Sequence, residues 1–344
     1  MRRVIRSILR VIRSGADSSD TAFFAALREF LSSAPQAVRV DVDKHLSYLA
    51  GRAGVTVDHL LDGKSFRVHP QVLKDAITNI SRAMEGACLA VNAERAALLL
   101  SLVTPEDAHN ASYVRVGNEH DGGYVMVAEM LKGGVAYSCG ILDDVSWDRA
   151  MADRGYEVFQ YDHTISALPE QHRQFRFFKT GICGLGKDDH VFRSLDTLVR
   201  QNGHENRDDL VLKIDIEGAE WDVFSTMLDE TIRCFSQIVV EFHALDKAAS
   251  DPIFLARAYA ALSKLDAHFV PVHVHANNSV NYAIVGSFAV PPVLEVTYLR
   301  RGAMETGPCT RLFPTELDRP NTPSRPDLWL GSFQFPVRAS VWKI

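Results

Sequence analysis

From about residue 110 onward, short apolar runs alternate with segments of helical period, and this alternation restricts the chain more than any other feature. A strand covered on both faces reads as a continuous apolar run. A helix between two such strands returns the chain to run parallel to the first, so the pattern implies a parallel sheet with helices packed on it. The runs are GVAYSCG (134–140), YEVFQYD (156–162), FRFFKT (175–180), DLVLKIDI (209–216), FSQIVVEF (235–242), AHFVPVHVH (267–275) and VLEVTYLR (293–300). Between the last two lies only NNSVNYAIVGSFAVPP, without an apolar segment of helix length, so these two are expected to pair antiparallel at one edge. The expected fold class is α/β, a doubly wound, seven-stranded, mostly parallel sheet of Rossmann-like design.

The flanks read differently. Residues 1–110 form an expected helical region: TAFFAALREFLSS, VDKHLSYLAGRAG and PQVLKDAITNISRAMEGACLAVNAERAALLLSLV have helical period, and Thr104 with Pro105 ends the last of them. The opening MRRVIRSILRVIRS is basic and amphipathic, a helix suited either to docking on its own domain or a second copy, or to peripheral contact with a membrane. After the sheet domain, expected at 111–302, the Pro-rich stretch 303–344 is expected to wrap the surface without a domain of its own. Five scattered cysteines without a CxxC pair favour a reducing compartment, the cytoplasm, with or without membrane association. A net charge of −6 gives no reason to expect nucleic acid as a partner.

In doubly wound sheets the ligand sits beyond the carboxyl ends of the strands, so the turn after the first strand is informative. Here Ser138 to Asp144 reads SCGILDD, one glycine followed by acids. A dinucleotide site needs GxGxxG for the backbone to approach a pyrophosphate, which nearby carboxylates would repel. Beside the ammonium and sulfonium groups of S-adenosylmethionine the same acids are favourable. Asp162 ends the second strand 22 residues after Gly140, close to the spacing of about 20 at which a carboxylate meets a ribose in related folds. It is equally placed to cap a helix.

DGGYV (121–125), YSCGILDDVSWD (137–148), the strand ending in Asp162, and above all LKIDIEGAEWDVF (212–224) resemble the FkbM-type and related methyltransferase-like families of class I methyltransferases, over about residues 113–300. The resemblance implies S-adenosylmethionine as cofactor and methyl transfer to an oxygen, on a hydroxylated small molecule, sugar or glycan acceptor. It also implies that Asp121, Gly122, Gly123 and Tyr124 flank the methionine end of the cofactor, that Gly140 touches it through backbone, and that Asp162 holds its ribose. Ser138, Cys139 and Asp215 line the same strand ends. Cys139 stands where such turns often have glycine.

Methyl transfer aligns an acceptor oxygen with an activated methyl and removes a proton. Candidate groups cluster at three strand ends: Asp215 and Glu217, then Glu241 and His243, then His273, His275, Asn277 and Asn278. His243 or His275 is the expected general base, beside Asp215. Alternatively Asp215, Glu241 and His243 hold a magnesium or manganese ion that lowers the pKa of an acceptor hydroxyl. Glu217 is equally read as a helix-start carboxylate, and Trp147 and Trp221 as aromatics packed on the sheet. The competing reading from another class is a noncatalytic S-adenosylmethionine-binding scaffold.

Overall fold

The computed structural model describes residues 24, 27–29, 31–32, 36–62, 70–285 and 288–335. The basic stretch at the start of the chain lies outside them. Two compact units divide between Val91 and Asn92.

The first unit is helical, as its periodicity requires. Helix α1 (Gln36–Ala53) presents Val42, Leu46 and Leu49 at spacings of four and three, and they bury with Leu60 of α2 (Val57–Leu61) and with Ala76, Ile77 and Ile80 of α3 (Pro70–Ser101). Thr56 caps α2, its hydroxyl accepting from His59 N at 3.1 Å. The division falls inside α3 rather than at residue 110, and Glu106–Ala108 is a strand paired with Thr306–Pro308. Local pattern places both segments in flanks of the sheet domain, yet Ala108 packs with Val270, Val272 and Leu299 of the sheet.

In the second unit all seven expected strands form. They are β1 (Gly134–Cys139), β2 (Tyr156–Tyr161), β3 (Phe175–Phe178), β4 (Leu210–Ile214), β5 (Phe235–Phe242), β6 (Phe269–Ala276) and β7 (Leu294–Arg300). Their order across the sheet is β6-β7-β5-β4-β1-β2-β3, parallel except for β7, which runs antiparallel to both neighbours. The expected edge hairpin is therefore present, with β7 inserted between β5 and β6. A small hairpin, Ala283–Val285 with Phe288–Val290, lies along the connection.

Alternation along each strand sorts side chains to two faces. Tyr137, Cys139, Leu212, Ile214, Val240 and Phe242 bury against α5 (Leu195–Gln201), α6 (Glu220–Thr226) and α7 (Pro252–His268). Trp221 of α6 stacks on Phe242 at a centroid distance of 4.5 Å. On the opposite face Ala136, Val158, Val211 and Val239 pack against α4 (Ser146–Asp153), with Trp147 and Met151, and against the hairpin Tyr113–Val116/Tyr124–Val127. Both tryptophans thus belong to the packing layers. No helix among the described residues is long and apolar enough to cross a membrane.

Candidate active site

Strand register gathers the candidate residues into one row. Cys139 pairs with Tyr161 on one side and Ile214 on the other, and Val240 pairs with Ile214. The next residues along these strands, Asp162, Gly140, Asp215 and Glu241, therefore stand side by side at the carboxyl edge. Glu241 is directly opposite Glu295, which is opposite His275. Cross-strand partners project to the same face, so Asp162, Gly140, Asp215, Glu241, Glu295 and His275 form one transverse row on the side covered by α4.

Three loops leaving this edge carry strain. Leu142, Glu217 and Ala244 all have positive φ without being glycine, and they follow β1, β4 and β5 respectively. Such conformations persist where surrounding structure imposes them, and they cluster at functional sites. Gly140 itself has φ +81°, and a Cβ there would lie 1.7 Å from the backbone oxygen of Asp215. The close crossing of the first and fourth strand ends is the reason for this glycine.

The turn after Gly140 is held from two sides. Asp162 Oδ2 accepts from the backbone N of Ile141 at 2.8 Å and of Leu142 at 2.9 Å. Its Oδ1 accepts from Thr164 N at 2.7 Å and Thr164 Oγ1 at 2.5 Å. Burial raises the Asp162 pKa, but these donors outweigh it and hold the carboxyl below its ordinary value. Asp162 thus stands at the carboxyl end of the second strand with its acceptor directions filled by protein donors. From the other side Lys213 Nζ donates to Gly140 O at 2.5 Å.

The DGGY turn packs against the row. A Cβ on Gly122 would meet Asp144 Oδ2 at 2.1 Å, and one on Gly123 would meet Asn118 O at 2.0 Å. Tyr124 is buried, with its hydroxyl 3.5 Å from Asp215 Oδ2. Asp121, Glu241 and Glu295 offer oxygens within 4.8 Å of one another. Ser138 and Cys139 line the strand end with backbone: the Ser138 side chain is fully buried beneath the row, and the Cys139 thiol faces the opposite core. Alternation along β1 sends Ser138 to the α4 side and Cys139 to the opposite side, and at Gly140 the strand end presents backbone alone.

His243 stands half-buried beside the row. Its Nε2 lies 3.9 Å from Asp215 Oδ1, 3.5 Å from Glu217 Oε2 and 3.9 Å from Glu241 Oε1. Its Nδ1 is 3.3 Å from the buried Glu220 Oε1, an ion-pair approach without hydrogen-bond geometry. Burial opposes the charge of His243, but Glu220, Asp215 and Glu217 outweigh it and raise its pKa. Burial raises Asp215 too, with Lys213 and His243 pulling the other way. Glu241 is driven well above the ordinary glutamate value by burial and then by Asp215 and Glu295, while Asn277 Nδ2 donates to it at 2.9 Å.

His275 is not placed to act as a base. It is 1% exposed, with Nδ1 at 3.0 Å from Glu295 and Nε2 at 3.1 Å from Asp327. Burial alone would lower its pKa, yet Glu295 and Asp327 push it up to about 10, so it holds its proton at neutral pH. The neighbouring His273 pairs with Asp318 at 2.8 Å, and Asn278 donates to the Thr322, Arg325 and Pro326 carbonyls. Asn321 Nδ2 bridges Asp121 and Glu295.

Sequence reasoning did not find Lys213, Glu220, Glu295, Asn321 and Asp327. Two had a signal: Lys213 and Glu295 are charges flanked by apolar residues inside strands, costly without a partner. Asn321 and Asp327 had none, because the Pro-rich segment meets the site only through tertiary contacts.

Residues 191–260 match the family model described as the methyltransferase FkbM domain. A stretch of 145 residues is 26% identical to a Homo sapiens protein described as "Probable methyltransferase-like protein 24". That match covers 38% of this chain and 39% of the human protein, so the chain spans well under half the length of the relative it matches.

Proposed function

We propose that this chain, in which residues 191–260 match the FkbM methyltransferase model, uses S-adenosylmethionine to methylate a hydroxyl group of a sugar, glycan or other hydroxylated small molecule. The observation that carries the reading is the transverse row, in which Asp215, Glu241 and Glu295 stand side by side at the carboxyl edge beside a glycine turn. Within the row Glu295 is matched by the His275 imidazolium and Glu241 is driven towards its protonated form, so Asp215 is the carboxylate left to meet the charge of a ligand. A donor bearing a sulfonium and an ammonium suits that charge, and S-adenosylmethionine supplies a methyl group on positively charged sulfur.

In this reading Gly140 offers backbone at the donor, Asp215 and the DGGY turn flank its charged end, and Asp162 shapes the turn rather than spending free lone pairs on a ribose. His243 Nε2 accepts the proton of the acceptor hydroxyl. The surrounding acids make the imidazole a stronger base and stabilise the imidazolium that results. A second route uses the same atoms differently. Asp215, Glu241 and His243 have ligand atoms within 4.8 Å of one another, a mixed oxygen and nitrogen set that suits magnesium or manganese. Nε2 cannot both ligate an ion and take a proton, so the two routes exclude each other at that atom.

Titration calorimetry with S-adenosylmethionine and S-adenosylhomocysteine tests the donor site. Absence of binding to either rejects the proposal. Methyl transfer to a panel of hydroxylated acceptors, with and without chelator, then separates base from metal catalysis; binding without transfer to any acceptor favours a scaffold.

A further inference from the structure

Lys213 stands one pair of residues below Asp215 on β4, on the same face, and is 7% exposed. Ser138, Gln160 and Asp148 of α4 are also buried on this side; Ser138 Oγ, Asp148 Oδ1 and both polar atoms of Gln160 have no hydrogen-bond partner among the described residues. Ser138 is its register neighbour on β1, and Ser138 in turn pairs with Gln160. A buried ammonium here is expensive, and a residue such as methionine would fill the same volume without that cost. Its one hydrogen bond explains where the charge is used: Nζ reaches up to Gly140 O at 2.5 Å. That carbonyl belongs to the residue with φ +81° whose following two amides are taken by Asp162. The turn is thus clamped between a cation from β4 pulling on its carbonyl and an anion from β2 pulling on its N–H groups.

Resting on the donor-site reading above, we infer that Lys213 is a positioning residue: it holds the Gly140 peptide in the orientation that receives the methyl donor. The competing role is purely electrostatic, with Lys213 neutralising the buried Asp148 and supporting the charge of Asp215; a fall in affinity that persists in an Asp215→Asn background assigns the effect to the Gly140 contact instead.

Lys213→Met alone strands the Asp148 charge and endangers folding, so the deciding variant is Lys213→Met/Asp148→Asn, which removes both charges. The measurements are thermal melting, S-adenosylhomocysteine affinity by calorimetry, and kcat and KM for the donor in full-length protein. A positioning role predicts a folded double variant whose affinity for S-adenosylhomocysteine falls about tenfold to a hundredfold, the range expected for loss of one charge-assisted hydrogen bond, with donor KM rising more than kcat falls. Asp148→Asn alone is expected to bind as the wild type does. Wild-type affinity and KM in the double variant would overturn the role of Lys213 while leaving the donor site standing. Failure of the wild-type protein to bind either nucleoside would overturn both.

Discussion

His275 offers the sharpest test of the site's electrostatics. Its imidazolium lies between Glu295 and Asp327 at 3.0 and 3.1 Å and is 1% exposed. A proton bound with a pKa of about 10 rather than 6.5 stabilises the folded state by about 5 kcal/mol, at about 1.4 kcal/mol per pH unit. Because the folded-state pKa is raised, this stabilisation is fully present below pH 6.5 and is lost as pH climbs towards 10. His275→Gln keeps hydrogen-bonding capacity but leaves two carboxylates without their cation, which costs about 3–5 kcal/mol for a broken buried pair. Urea unfolding followed between pH 6 and 9.5 is the assay. Wild-type stability is expected to decline steadily across the upper part of that range, and the variant to be less stable at pH 7 with that slope flattened. A cost below about 1 kcal/mol, or identical slopes in the two proteins, would refute a protonated His275 and return it to the list of candidate bases.

Other outcomes follow from the same geometry. His243→Ala is expected to lower turnover about a hundredfold to ten-thousandfold while S-adenosylhomocysteine affinity stays within a few fold; undiminished turnover removes His243 from the chemistry. Since the His243 pKa is raised and the base must be unprotonated, the wild-type rate is expected to rise with pH through a point above 6.5, and a flat profile from pH 6 to 8 contradicts this. Asp162→Ala releases the Ile141 and Leu142 amides and is expected to weaken donor binding at least tenfold, whereas unchanged calorimetric affinity would show that the turn does not touch the donor. If Asp215, Glu241 and His243 hold an ion, chelator abolishes transfer and added magnesium or manganese restores it; full activity in excess chelator leaves simple base catalysis.

Much of this was legible locally. The seven strands were readable because a strand covered on both faces needs only a run of apolar residues; Gly140 was readable as a turn without a side chain, and the structure adds the reason, a close crossing by the Asp215 backbone that tolerates no Cβ. Asp215, Glu241 and His243 stand out in the sequence because they end apolar strands, and the structure brings their ligand atoms together. His275 was misjudged for a physical reason: a histidine's role depends on what faces its two nitrogens, and both partners lie far along the chain.

The sequence by itself therefore determined the layered sheet, the edge at which chemistry gathers and the acidic character of that edge, because periodicity and charge are properties of short segments. Only the tertiary structure decided which protons are held and which are free. The register of β5, β7 and β6 set Glu241, Glu295 and His275 in one row, and the Pro-rich segment returned to place Asn321 and Asp327 against it. Proton affinity is fixed by burial and by charges a few ångströms away, and these are distances no local pattern encodes.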